Sequence, residues 1–335
     1  MQIPAPPRWL RLILQAIYPV FAVFATAVAV LLAPIAVLIW PLDRHFRVGR
    51  VLILAVVFLW EDVGLVVQCW ALRLRGRAHS IEDHEQLLVD TLDNVMRSAR
   101  RWIGFHVDID GEIDYGRPDR PLVVLARHAG PADSLALAWL LTSEARRIPR
   151  VVLAAKLLWD PGVAKLLERL EAYFVPSRSG AGDDRTKGVT DLAASLNTKD
   201  ALLIFPEGKN WTPKRHADEV ARLTERGETE RAAQAVEREY VLPPRPRGVR
   251  SILAAQPDAD VLVVAHTGLE LLASPFDIWR AIPFTSNRLL VRGRTFRRED
   301  IPTDPDEIDA WLDERWGEIN SWVTTHLRAT HPDPS

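Results

Sequence analysis

The sequence predicts an α/β fold, in which a largely parallel sheet is flanked by helices and follows an N-terminal apolar helical membrane anchor. Short apolar runs rich in branched residues recur at 122–126, 151–155, 201–205 and 261–265. Helical patterns separate them, and this alternation is typical of parallel strands buried on both faces. The anchor is predicted from residues 12–42, which contain no charged side chain and exceed the length that a bilayer-spanning helix requires.

Composition narrows the class of protein. The 335 residues carry a net charge of −2, so no overall positive field favours nucleic acid. A lone Cys69 excludes an internal disulfide framework, and no cysteine or histidine cluster has the spacing of metal ligands. We expect two regions, a membrane-anchoring helical region at 1–78 and an α/β domain at 79–335.

The N-terminal third is predicted to meet a membrane. Pro19 and Pro34 lie within the run 12–42, so both a kinked spanning helix and a tight helical hairpin fit it. The run is too long for a cleaved signal peptide. A second apolar run, 51–72, is interrupted by Glu61 and Asp62, which favours an interfacial or docked helix at least as much as a second span. Arginines beside the runs suit an anionic cytoplasmic leaflet, so we expect the α/β domain on that face.

The remaining elements are predicted from periodicity. Residues 80–105 are typical of an amphipathic helix, and alternation at 107–113 indicates a half-buried strand. Further along, we expect helices at 161–170, 184–196, 211–239 and 304–328, a short strand at 173–176 and a rigid loop at 241–248.

The stretch 121–137 carries the first candidate chemistry. Its strand ends at Arg127 and His128, Gly130 and Pro131 turn the chain, and Asp133 falls in the first turn of the next helix. A carboxylate near a helix N-terminus stays ionised and can hold a histidine ring in one tautomer. His128 then presents its other nitrogen as a general base.

A second strand of the same kind ends near the first. Residues 201–205 are followed by Pro206, Glu207, Gly208 and Lys209, and the carboxyl ends of parallel strands share the edge where open α/β sheets bind ligands. His128-x4-Asp133, followed 72 residues later by Phe205-Pro206-Glu207-Gly208, resembles the glycerolipid acyltransferases. The likeness covers about 121–270 and is strongest to the 1-acylglycerol-3-phosphate acyltransferases and their lysophospholipid-remodelling relatives.

The resemblance implies transfer of a fatty acyl group from acyl-CoA or acyl-carrier protein to a lysophospholipid hydroxyl. It assigns His128 as the base and Asp133 as its orienting carboxylate, with no acyl-enzyme. It also implies acceptor binding by Glu207, Gly208, Lys156 and Arg178. The acyl donor is a co-substrate and no further cofactor is expected. The implied partners are the lysophospholipid, the donor and membrane lipids.

The sequence departs from the family pattern after the second motif. Asn210 stands where the family has an arginine, and it lacks the charged fork that clamps a phosphate. Lys209, with Lys214, Arg215, Arg247 and Arg250, offers substitutes. The acceptor is therefore lysophosphatidate, or alternatively lysophosphatidylinositol or another glycolipid.

An alternative of another class is a non-catalytic lipid-binding protein, which the intact pair of His128 and Asp133 argues against. Serine hydrolysis is disfavoured because the chain has no Gly-x-Ser-x-Gly elbow.

Overall fold

A computed structural model describes residues 5–130, 132–175, 182–270, 272, 274–285 and 288–330. Its contacts divide the chain into two compact units. The first comprises Met1–His106, Val152–Arg185 and Trp279–Ser286, and the second comprises Val107–Val151, Thr186–Ile278 and Asn287–Ser335. The predicted domain boundary after residue 78 stays a prediction.

The first unit is mainly helical. Its helices are α1 (Arg8–Leu38), α2 (Arg47–Leu74), α3 (Ile81–Ile103) and α5 (Pro161–Arg169). Most of the run 12–42 lies in one helix rather than a hairpin, since α1 continues to Leu38 with Pro19 and Pro34 inside it. Helix α3 begins where Ser80 accepts a hydrogen bond from the Asp83 amide and ends at Gly104, whose φ is +71°.

Length and composition make α1 and α2 the two candidate membrane spans among the described residues. Most of the apolar window of α1 is exposed in the structure, which is weak support for membrane association. The orientation of the chain relative to a bilayer stays a prediction.

The acidic pair within α2 has a structural explanation. The Asp62 carboxylate accepts hydrogen bonds from the backbone amides of Gly162 (3.3 Å) and Val163 (3.0 Å), in the first turn of α5. A carboxylate is favourable there, where helix amides lack partners. A side chain at Gly162 would clash with Asp62, so the glycine permits the close approach. The middle of α2 is thus docked on α5.

The second unit contains most of the sheet. Its strands are β1 (Val107–Ile109), β2 (Leu122–Ala126), β3 (Ile148–Ala154), β5 (Asp200–Ile204), β6 (Asp260–Thr267) and β7 (Leu289–Phe296). Their order is β1-β7-β6-β2-β5-β3, and every pairing is parallel except the antiparallel pair β6–β7. The end of β3 belongs to the first unit, where it pairs in parallel with β4 (Tyr173–Val175).

Helices flank these strands. They are α4 (Asp133–Ser143), α6 (Gly182–Ala194), α7 (Pro213–Glu225), α8 (Thr229–Glu237), α9 (Pro246–Ala255), α10 (Pro275–Ala281) and α11 (Pro305–Thr330). Strands β2 and β6 are buried at every position, so they form the core that positions the site. The predicted α/β class with a largely parallel sheet is confirmed.

Two local predictions differ from the structure, and one strand was not predicted. Residues 211–239 form two helices rather than one, because α7 ends at Glu225 and Gly227, at φ +72°, follows its C-cap Arg226. The loop at 241–248 is shorter than expected, since Pro246 begins α9. Strand β7 was not predicted: Arg292-Gly293-Arg294 breaks its apolar pattern, and its pairing with β6 supplies the ladder.

Candidate active site

The turn after β2 brings His128 onto Asp133. Asp133 is the first residue of α4, and the preceding Ala132 adopts φ +68° to direct the chain into the helix. The His128 Nδ1 atom lies 2.8 Å from Asp133 Oδ2, which also accepts the Ala129 amide at 3.0 Å. The other carboxylate oxygen accepts the amide and hydroxyl of Ser134. Both oxygens of Asp133 are thus committed to donors.

The electrostatics of this pair fix the histidine tautomer. Burial alone raises the pKa of Asp133, but the hydrogen bond from His128 and the nearby His266 outweigh it and hold the pKa below its ordinary value. An ionised Asp133 accepts the Nδ1 proton, so the neutral ring has its lone pair on Nε2. Within the described part of the chain, no group hydrogen-bonds that nitrogen. Nε2 is therefore available to take a proton from a hydroxyl.

The second motif meets the first through neighbouring strands. Strand β5 pairs in parallel with β2, so Phe205, directly after β5, emerges at the same edge as His128. The two rings stack with centroids 4.2 Å apart. The Trp211 amide also donates to the His128 carbonyl oxygen. The expectation that the two strand ends share one site agrees with this geometry.

Glu207 lies inside the protein rather than on its surface. It is 2% exposed, and its Oε1 accepts a hydrogen bond from Trp316 Nε1 of α11 at 3.1 Å. The second oxygen, Oε2, has no partner among the described residues. Burial raises the pKa of Glu207 to about 8, against the opposing effects of Arg127 and Trp316. Glu207 is therefore mostly protonated at neutral pH.

Lys209, directly after Gly208, lines a small pocket of about 50 Å³ in which three basic and three acidic side chains meet. Gly208 has φ +71°, a backbone conformation that favours glycine, and it lies beside the Arg245 guanidinium. The pocket is lined by Glu207, Lys209, Arg215, Asp218, Glu219, Leu242, Pro243 and Arg245. Lys209, Arg215 and Arg245 thus share this pocket with Glu207, Asp218 and Glu219.

Two predicted substrate residues are not part of this arrangement as described. Lys156 is exposed in a short 3-10 helix, Ala155–Trp159, that belongs to the first unit. Arg178 lies outside the described residues. The second unit brings together His128, Asp133, Glu207, Gly208 and Lys209, and the roles of all seven residues stay predictions.

A buried ion pair behind His128 was not anticipated. Arg127 is fully buried, and its guanidinium bonds the Glu270 carboxylate and the carbonyl oxygens of Tyr240 (2.8 Å) and His266 (2.7 Å). The His266 Nε2 atom in turn lies 2.8 Å from the Arg127 carbonyl oxygen. The sequence signal for this pair was an arginine directly after a buried strand. An arginine that is itself buried needs a carboxylate partner, because an unpaired buried charge is costly.

His266, near the end of β6, is fully buried. Its Nε2 atom also lies 3.6 Å from Asp133 Oδ2. Burial, more than the opposing Asp133 charge, lowers the pKa of His266, so the ring is neutral at pH 7.

Metal chemistry has no candidate ligand set in the part of the chain that the structure describes, where no three His, Cys, Asp or Glu side chains converge suitably. The expectation that no cofactor is needed stays a prediction.

No curated protein matches the chain. Among solved structures, the 1-acyl-sn-glycerophosphate (LPA) acyltransferase PlsC from Thermotoga maritima is similar at 13% identity and a TM-score of 0.48, covering 91% of this chain and 97% of that one. A model of the family described as Acyltransferase matches residues 107–257, which contain both motifs. The chain therefore carries a domain of the acyltransferase family over residues 107–257, as its two motifs indicated.

Proposed function

We propose that the protein is a membrane-associated O-acyltransferase. It moves a fatty acyl group from acyl-CoA or acyl-carrier protein to the free hydroxyl of a lysophospholipid, with 1-acylglycerol-3-phosphate as the first acceptor. The observation that carries this proposal is the 2.8 Å contact between His128 Nδ1 and Asp133, which leaves Nε2 as the base in an acyltransferase-family domain. Two apolar helices are consistent with substrates that reside in membranes.

The reaction follows from that geometry. His128 Nε2 takes the proton of the acceptor hydroxyl as its oxygen forms a bond to the thioester carbonyl carbon. The resulting tetrahedral intermediate collapses with cleavage of the carbon–sulfur bond, and the imidazolium returns its proton to the departing thiolate. Asp133 stabilises the transient imidazolium, as an ionised carboxylate does at 2.8 Å. No acyl-enzyme is needed, because the alcohol is the nucleophile.

The pocket that Lys209 lines supports a phosphate-bearing acceptor. Asn210 lacks the charge of the usual arginine, but its backbone carbonyl oxygen accepts a hydrogen bond from the Arg215 guanidinium at 3.0 Å. Lys209 and Arg245 complete the cationic part of the lining, which also contains Asp218 and Glu219, and Arg222 already engages the Glu219 carboxylate. Arginine forks match phosphate oxygens. We assign Lys209, Arg215 and Arg245 to the acceptor phosphate. Glu207 lines the same pocket and is proposed as a further acceptor-binding residue.

Other cations serve this purpose less well. Arg250, one of the substitutes that the sequence offered, lies 3.5 Å from Asp309 of α11, which already balances its charge. Lys156 and Arg178 remain proposed acceptor-binding residues on the strength of the resemblance alone. Asn210 favours a second acceptor, lysophosphatidylinositol or another glycolipid, because an amide hydrogen-bonds neutral sugar hydroxyls as readily as it does phosphate.

The test is acyl transfer by the purified full-length protein. Radiolabelled acyl-CoA and acyl-carrier protein are each offered with lysophosphatidate, lysophosphatidylinositol and lysophosphatidylcholine, and products are separated by thin-layer chromatography. His128→Ala is measured beside His45→Ala, which removes an exposed histidine. We expect diacyl product from lysophosphatidate with the native protein and His45→Ala, and its loss with His128→Ala.

Other results would revise the proposal in defined ways. Product confined to lysophosphatidylinositol would keep the chemistry and change the acceptor. Activity that survives His128→Ala would rule out the general base. Failure with every acceptor and both donors would favour a lipid-binding protein.

A further inference from the structure

An open cleft of about 510 Å³ lies within the first unit, between the start of α1 and the end of α5. Its lining comes from Arg8, Arg11, Leu12, Gln15, Lys165, Glu168 and Arg169. All of these residues belong to the first unit, whereas the His128 pair belongs to the second. The proposed acyl-transfer chemistry makes no use of this cleft.

The cleft concentrates positive charge. Four of its seven lining residues are cationic, and Arg73 of α2 adds a further positive charge close enough to act on Lys165. Glu168 is the one carboxylate of the lining in the described part of the chain, and Arg11 contacts it. Burial, together with the charges of Arg169, Arg73 and Arg11, lowers the pKa of Lys165. Cations that repel one another in this way are stabilised by a bound anion.

A buried amide supplies a second, independent observation. Gln15 is 4% exposed although it lines the cleft, and its Oε1 has no hydrogen-bond partner among the described residues. Buried polar atoms in native proteins nearly always have a partner, so this one is suited to a ligand that donates a hydrogen bond. The occupant therefore combines an anionic group with a hydroxyl or a similar donor.

The surroundings of the cleft are apolar. Leu12 lines it and is 51% exposed, and its neighbour Trp9 is 64% exposed. The exposed apolar surface continues along α1 at Val20 and Phe24. An amphiphile satisfies both surfaces at once, because its acyl chains cover the apolar side of α1 while its head group enters the cleft.

We propose that this cleft binds the head group of an anionic phospholipid, with its phosphate among Arg11, Lys165 and Arg169 and a head-group hydroxyl donating to Gln15. Phosphatidylglycerol has both features, whereas phosphatidylcholine has a quaternary ammonium and no hydroxyl donor. Arg8, in the first turn of α1, adds charge where that helix lacks a side-chain cap. The proposal does not depend on the acyl-transfer reaction.

The experiment compares two lipids of identical acyl chains by their effect on thermal unfolding of the full-length protein in neutral detergent micelles. A ligand bound to the folded state raises Tm. We expect phosphatidylglycerol to raise Tm by several degrees more than phosphatidylcholine does. The double variant Lys165→Gln/Arg169→Gln should lose at least half of that difference. The matched control Lys199→Gln/Arg226→Gln, which removes the same two charge types from exposed positions of the second unit, should retain it.

Two further variants protect the test against a folding defect. Arg8→Gln alters an exposed side chain and Gln15→Leu leaves every cation in place, and each should also reduce the phosphatidylglycerol difference. Equal stabilisation by both lipids, or an undiminished difference in the double variant, would overturn the proposal. So would equal stabilisation by inorganic phosphate or free CoA, which would assign the cleft to a soluble phosphate. No acyl donor or acceptor is present, so the outcome is independent of whether the protein transfers acyl groups.

Discussion

Asp133 accepts hydrogen bonds on both of its carboxylate oxygens, and this geometry orients His128. One oxygen receives the ring Nδ1 and the Ala129 amide, while the other receives the amide and hydroxyl of Ser134. The carboxylate cannot rotate without breaking several of these bonds, so the ring it holds is fixed as well. A general base preorganised in this way spends little free energy on alignment during the reaction.

Asp133→Asn should therefore abolish most activity while leaving the fold intact. An asparagine amide donates to Nδ1 and favours the tautomer with the proton on Nε2, which cannot act as a base. We expect kcat to fall by about 10²–10⁴-fold, the range typical of a misassigned tautomer or a lost base. Initial rates and far-UV circular dichroism check this. Asp119→Asn, at an exposed position, is the control, and near-native rates in Asp133→Asn would refute the orienting role.

Arg245→Gln tests the proposed phosphate contact. Loss of one charge-assisted hydrogen bond costs about 1.4 kcal/mol or more, which is about tenfold in affinity. We expect KM for lysophosphatidate to rise about tenfold with little change in kcat. Arg250→Gln removes the same charge from a residue already paired with Asp309 and should leave KM unchanged. Equal kinetics in both variants would exclude Arg245 from the acceptor site.

Glu207 should impose a pH dependence on stability. Its pKa is about 8 in the folded protein against an ordinary value of 4.5, so between these values the folded state holds a proton that the unfolded chain has released. Raising the pH through this window lowers the free energy of unfolding, by at most about 1.4 kcal/mol per pH unit.

Glu207→Gln keeps an acceptor for Trp316 and removes the titration. Urea unfolding of both proteins between pH 5 and 9 should therefore show a shallower decline for the variant. Parallel curves would mean that Glu207 is not buried as the structure has it.

At the scale of elements, one carboxylate of α2 hydrogen-bonds the first turn of α5. Asp62 accepts hydrogen bonds from the amides of Gly162 and Val163. The Val163 amide also donates to Asp160, the N-cap of α5. Glu61, its neighbour, makes a single long contact of 3.4 Å to Asn94. The two adjacent acidic residues thus contribute differently to the packing of α2, and the sequence alone does not show this difference.

Asp62→Ala should lower the free energy of unfolding by about 1–3 kcal/mol, because the buried Gly162 amide loses its acceptor, whereas the Val163 amide keeps Asp160. Glu61→Ala should cost less than about 0.5 kcal/mol, as is usual for a weakly engaged side chain. Denaturant unfolding in detergent measures both. A larger loss in Glu61→Ala than in Asp62→Ala would contradict the docking.

At the scale of the whole molecule, α1 and α2 are the elements that predict membrane association. Both are long and apolar enough to span, and many large apolar side chains of α1 are exposed. We expect the protein to sediment with membranes and to require detergent for release, since burying that surface in lipid is strongly favourable. Membrane fractionation followed by alkaline carbonate extraction checks this. Release by carbonate alone would indicate peripheral attachment.

The sequence by itself determined the class of fold, the order of most elements and the pairing of His128 with Asp133. Apolar runs and helical periods are local signals, and a histidine and an aspartate five positions apart across a strand-to-helix turn can meet without help from the rest of the chain. The two motifs also indicated the acyltransferase family, which the family match over residues 107–257 bears out.

Only the tertiary structure decided the partners that come from distant segments. Trp316 donates a hydrogen bond to Glu207, and Arg245 lies beside Gly208. Arg127 pairs with Glu270, and Asp62 accepts a hydrogen bond from a helix amide a hundred residues away. Strand β7 likewise exists because β6 offers a ladder, although its own pattern is weak. The physical reason is common to all: burial and long-range hydrogen bonding depend on which surfaces meet, and no local pattern of residues encodes that.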